Sequence, residues 1–248
     1  MEPLIATVPF VKALEELVEA AEASGRKEEL VKFSAHDARR ELLEGRAAMV
    51  ICWPTRSENE AVDRDGQITD VRFAPLPGAT KFYAFGARQW QTRPDSENSH
   101  VPVIGISGRL GSVTRGSRHS KAAFDLLVWL TSETNGKAIA PKSGQTTMFR
   151  VSHLSDATQW VDPAISSDGA ESYAEAIRAS NASEVWLCAI RIPGRARYLA
   201  ALDSAVHQAV AGMSPIDALR EARQRWMEIT DEIGVDAQQQ AYRRSLGY

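Results

Sequence analysis

Between residues 10 and 21, Phe10, Val11, Leu14, Leu17, Val18 and Ala21 recur at helical spacing, with Glu15, Glu16, Glu19 and Glu22 on the opposite face. That pattern predicts an amphipathic helix, and Gly25 can end it by taking up a left-handed backbone. Ser34 then opens a shorter helix, SAHDARRELLEG: its hydroxyl can cap free N–H groups, Asp37 suits the positive helix end, and Gly45 stops the run. AAMVICW at 47–53 is continuously apolar and of strand length, so it predicts a buried strand stopped by Pro54. The polar, acidic stretch from Ser57 to Asp70 predicts a surface loop. VRFAPLP (71–77), KFYAFGA (81–87) and VPVIGIS (101–107) predict strands, with GATK as a turn and TRPDSENS as a mobile excursion between them.

Helix returns at 120–131, where Ser120 can cap and Ala123, Phe124, Leu127 and Leu130 share a stripe. From Gly136 to Asp168 no period persists. Asp168 starts a predicted helix through Ala179, and EVWLCAI (184–190) predicts another strand. Beyond Arg197 helices dominate. Tyr198, Leu199, Leu202, Ala205, Val206 and Val210 form one face closed by Gly212, and Ser214-Pro215-Ile216-Asp217 is a strong helix start. Leu219, Trp226 and Ile229 form the next face, and a last helix covers about 236–245, ending at Gly247. Trp129, Trp186 and Trp226 read as core. Strands alternating with helices indicate an α/β fold with a helix-rich C-terminal half.

Composition narrows the chemistry. The 248 residues are 44% hydrophobic and 25% charged, with a formal charge of −3, which fits a globular chain and argues against nucleic acid as the main partner. There is no apolar run of about 18 residues, and the first fifteen residues lack the basic start and apolar core of a signal peptide. Cys52 and Cys188 exclude a four-cysteine zinc site, and free thiols are the default expectation. The five histidines are dispersed, so no metal site is expected. In GISGRLG (105–111), Arg109 stands where a Ser107 nucleophile elbow needs a small residue, and the glycine spacing does not match a phosphate cradle. Arg191, Arg195 and Arg197 crowd a helix start, where positive charge is unfavourable, so they are expected to have carboxylate or ligand partners.

Taken in order, several segments resemble the second half of extracytoplasmic solute-binding proteins of the sugar-type ABC importers (family 1). PFVKALEELVEAA resembles the helix after the family's crossover, and DARRELLEGRAAMVICW its helix–turn–strand. VRFAPLPG resembles the strand returning to the first lobe, and SGRLGSVTRGSRHSKAAFDLLVWLTSE the Gly-rich turn and following helix. IPGRARYLAALDSAVHQAVAGMSPIDALREARQRW resembles the C-terminal helical pair, whose G-x-S-P-x-x-A-L turn is the most specific match. The resemblance implies a periplasmic-binding-protein-like (type II) α/β fold, mostly its C-terminal lobe. Residues 1–72 and 140–248 would belong to the second lobe and 73–139 to the returning part of the first. The family's leader and most of its first lobe have no counterpart here, so uncovered apolar faces and self-association are expected.

The same resemblance implies reversible binding of a carbohydrate or similar polar solute, an ABC permease as partner of the complete form, a periplasmic or extracytoplasmic location, no cofactor and no catalysis. An interaction module on the same lobe, or a hydrolase using Ser107, are the alternatives. A sugar site needs aromatic plates and bidentate polar groups. At predicted strand ends and turns the candidates are Trp53, Ser107, Arg109, Thr146, Arg150 and Tyr198. Trp53 reads equally as a packing residue, Arg109 and Arg150 equally as ion-pair partners, and Tyr198 also fits the apolar stripe of its helix.

Overall fold

In a computed structural model, the described residues are 2–52, 70–95, 97, 99–104, 111–142, 146–189 and 191–246. They form a helix-rich, mixed α/β structure with two two-stranded sheets. The chain divides into two compact units, each assembled from separate segments.

The first unit comprises 1–33, 79–97 and 189–248. Helix α1 (Val8–Ala23) forms where the stripe predicts it and buries Leu14 and Ala21, while Phe10 and Leu17 of that stripe are exposed and Gly25 is left-handed beyond its end. After the short α2 (Lys27–Leu30), β1 (Lys81–Ala84) and β2 (Gln89–Thr92) form an antiparallel hairpin, pairing Lys81 with Thr92 and Ala84 with Gln89. The sequence predicted β1 but not β2, because QWQT carries little apolar alternation.

Helices α7 (Arg195–Val210) and α8 (Pro215–Ile233) pack as a hairpin, and α9 (Val235–Ser245) follows. The α7–α8 break falls where the sequence puts it. Gly212 has φ +112°, and the Ser214 hydroxyl caps α8 by accepting from the Asp217 N–H. Ile5, Leu14, Ala205, Ala209, Ala218, Leu219 and Ala222 form the core, with Trp226 half-buried against it. The small residues on both helices permit close approach. Arg197 forms an ion pair with Glu232, and Arg191 donates to the Ser245 carbonyl at 3.3 Å, so both have protein partners.

The second unit comprises 34–78 and 98–188. Its α3 (Ala35–Leu43) opens on a capping box between Ser34 and Asp37, as the sequence predicts. Strands β3 (Val103–Ile104) and β4 (Leu187–Cys188) are parallel neighbours far apart in sequence. Between them come α4 (Ser120–Leu130), α5 (Glu133–Ile139), three 3-10 turns (Ala140–Lys142, Val151–Ser155, Ala157–Trp160) and α6 (Ser167–Asn181). Met148, Ala157, Trp160, Val161, Ala170, Tyr173 and Ala174 make its core. A buried ion pair, Arg39 to Asp162 at 2.6 Å, ties α3 to the turn before α6.

Several expectations are corrected. The described part of the 47–53 strand, through Cys52, is not a strand: Met49 is 88% and Ile51 75% exposed, so the apolar run has no sheet to enter. Residues 71–77 run against α6 outside any ladder. The Phe73 N–H donates to the Ser172 hydroxyl at 2.9 Å, and Gly169 lets α6 approach the Val71 carbonyl where a Cβ would lie 2.4 Å away. The strands at 101–107 and 184–190 shrink to two residues each among those described, with Val185 and Leu187 exposed. Helix α4 is capped at His119 without a side-chain bond, not at Ser120, and buries no residue. Phe124 and Leu130 are exposed, and Trp129 and Trp186 are surface residues rather than core. The stretch 136–168 is mostly short helical turns, which a search for long periods misses.

Candidate functional site

The segment 146–153 gathers more binding chemistry than any other among the described residues. Residues 146–150 have non-helical backbone in which Met148 turns inward, 3% exposed, while Phe149 turns outward, 51% exposed, with Arg150 exposed beside it. The flanking contacts fix this arrangement. The Thr147 and Tyr173 hydroxyls are hydrogen-bonded at 2.7 Å, and the Arg150 guanidinium donates to the Thr131 carbonyl after α4. Thr146 is half-buried.

Phe149 is held by other rings. Its centroid lies 4.6 Å from that of His153 with planes at 89°, and 6.4 Å from that of Trp160 at 83°. His153 in turn lies 4.8 Å from Trp160 at a 34° tilt. Gly136 of α5 brings helix backbone against this group, since a Cβ there would lie 3.4 Å from His153 Nε2 and 3.8 Å from Phe149 Cζ. The result is a half-exposed phenylalanine ring steadied by edge contacts with His153 and Trp160. A shallow, open depression of about 390 Å³ lies on α5, lined by Glu133, Thr134, Lys137, Ala138 and Gln159.

Several ionisable side chains around this segment are shifted by their neighbours. Lys137 hydrogen-bonds Glu133 at 3.0 Å and holds that carboxyl below its ordinary range. Burial pushes the His153 imidazole down, with Arg150 and Lys137 adding to the effect and Glu133 opposing it. Burial raises the free Cys52 thiol, against the pull of Arg39, which disfavours the thiolate that nucleophilic chemistry needs. Among the described residues no three His, Cys, Asp or Glu side chains come together to hold a metal, and no helix is long and apolar enough to cross a membrane.

Of the six residues singled out by sequence, Trp53, Ser107 and Arg109 lie outside the described residues. Thr146 and Arg150 fall in the segment just described. Tyr198 is 3% exposed in the first unit, where its hydroxyl meets Thr230 at 2.9 Å and Gln238 at 3.0 Å, so it is packed inside that unit, whereas Thr146 and Arg150 belong to the chain's other unit. Phe149, His153 and Trp160 were missed. The signal in GQTTMFR was the Met-Phe pair: in extended backbone adjacent residues face opposite ways, so one buries and the other shows.

A larger groove of about 520 Å³ between α7 and α8 is less suited to a ligand. Its long polar lining residues are already engaged: Arg225 and Gln208 by Glu228 at 2.7 Å and Glu221 at 3.0 Å, and Arg197 by Glu232. Comparison of the chain with protein-family models, with curated proteins and with solved structures finds no match.

Proposed function

We propose that this protein is a substrate-binding component of an ABC importer, that it binds a carbohydrate or similar polar solute reversibly, and that the segment 146–150 contributes to the site. The observation that carries the reading is Phe149: a half-exposed ring, held by His153 and Trp160, with the exposed Arg150 next in the chain. A pyranose offers an apolar C–H face to such a ring and hydroxyls to a guanidinium, and a pre-positioned plate lowers the ordering cost of binding. The order of family-like segments supports the reading, as does the capped G-x-S-P-x-x-A-L turn between α7 and α8. On this reading the fold is of the periplasmic-binding-protein type II class, the location extracytoplasmic, and the partner of the complete form an ABC permease. Trp53, Ser107 and Arg109 remain candidate contacts from the sequence.

Calorimetry of the 248-residue chain against a panel of neutral mono- and disaccharides tests this. A shallow site with few contacts binds weakly, so saturable binding of roughly millimolar affinity is expected. Phe149→Ala and Arg150→Gln should each weaken it several-fold. No heat from any sugar at about 50 mM, some tens of times the expected Kd, would contradict the proposal. Micromolar affinity would contradict the shallow-site picture while leaving sugar binding intact.

A second reading, a protein-interaction module on the same scaffold, draws on α4. Phe124, Leu126, Val128, Trp129 and Leu130 are all exposed there, more apolar surface than a free helix normally shows.

A further inference from the structure

His153 is 1% exposed, and both ring nitrogens lack a hydrogen-bond partner among the described residues. Buried polar atoms are nearly always paired, so two unpaired nitrogens on one ring need an explanation. The ring is enclosed by Phe149, Trp160 and the α5 backbone at Gly136. In its neutral form the imidazole serves as a flat aromatic filler that completes this stack. A proton would turn it into a buried cation with both N–H groups unanswered, which is far more costly to bury than the neutral ring.

The surrounding charges offer the imidazolium no relief. On α5, Glu133 is already engaged by Lys137 at 3.0 Å. On the histidine's own turn, Arg150 adds positive charge. The Ala157–Trp160 turn carries no ionisable side chain, and Asp156 before it accepts from the Thr158 hydroxyl at 2.7 Å and the Gln159 amide at 2.5 Å. Two cations thus face the ring against one occupied carboxylate.

We propose that His153 is an acid-sensitive latch: its neutral ring locks the 146–160 segment closed, and protonation opens the packing and releases the Phe149–Arg150 stretch. The proposal stands apart from the sugar reading, because it needs only the packed histidine. The sign follows from where the proton binds. The open segment takes up a proton near the ordinary histidine value, about 6.5, while the closed one resists it. Closure is therefore fully favoured above that pH and lost as pH falls below it, with the open-to-closed ratio rising up to about tenfold per pH unit until the closed form also titrates.

Hydrogen exchange of the 146–160 amides between pH 7.5 and 5, corrected for intrinsic rates, reads this ratio directly. The wild-type protein should lose protection below about pH 6.5, and His153→Phe, which keeps an aromatic ring without the proton site, should hold its protection constant. Equal pH dependence in the two proteins would overturn the latch. Should His153→Phe not fold, proton NMR of the wild-type histidine rings decides instead. His153 titrating below the ordinary histidine value of about 6.5, together with lost protection in this segment, supports the latch. Titration of His153 at or above that value, or unchanged protection as it titrates, overturns it.

Discussion

Tyr198 shows at the scale of one residue how a polar group is buried without loss. The Thr230 hydroxyl gives its proton to the Trp226 carbonyl at 2.8 Å, so the Tyr198 hydroxyl must donate to Thr230 Oγ1 and accept from Gln238 Nε2. The Gln238 amide also donates to the Pro193 carbonyl at 3.0 Å, and the Trp226 indole donates to the Tyr198 carbonyl at 2.8 Å. Three helices are joined through one phenol. Tyr198→Phe keeps the ring and its T-shaped contact with Trp226 but strands an acceptor on Thr230, which should cost about 1–3 kcal/mol in urea unfolding. Sugar affinity should not change. A loss of affinity with unchanged stability would return Tyr198 to the binding surface.

At the scale of elements, the legible parts are those whose signal is local. Ser34 with Asp37 and Ser214 with Asp217 encode helix starts within four residues, and both caps form. The stripes of α1 and α7 likewise carry their own period. What failed depends on a distant partner. The run before Cys52 has the composition of a buried strand, yet a strand needs a neighbour, and among the described residues it has none. Trp129 and Trp186 look like core by residue type, but burial is decided by what packs on them. Of the candidate site, Thr146 and Arg150 are legible by their donors, whereas the exposure of Phe149 emerges only from the inward turn of Met148.

Two glycines give this scale a quantitative test. Gly212 has a positive φ but open space where a side-chain methyl would go, whereas Gly194, with φ +77°, would place its Cβ 2.8 Å from Ile233 Cδ1 and 3.4 Å from Ile229 Cγ2. Gly212→Ala should cost about 1–2 kcal/mol of backbone strain, and Gly194→Ala about 1–3 kcal/mol more for the overpacking. Equal losses in chemical denaturation would mean that the α7–α8 core yields freely at its N-terminal end.

At the scale of the whole molecule, the two units differ in how well their apolar residues are covered. The first has a continuous helical core, with Ala218 fully buried and Ala205 and Ile229 each 1% exposed. The second pairs a compact core around Trp160 with a helix, α4, that buries nothing. A structure with such an exposed helix fits either a lobe that shares its surface with other protein or an interaction module, and the sugar site proposed on 146–150 requires the first. The most direct test of that preference is residue-resolved NMR of the 248-residue chain during titration with maltose and with glucose. The account predicts saturable shift changes centred on Thr146, Phe149 and Arg150, and their loss in Phe149→Ala. Changes confined to the α7–α8 groove, or none at all at saturating sugar, would contradict it.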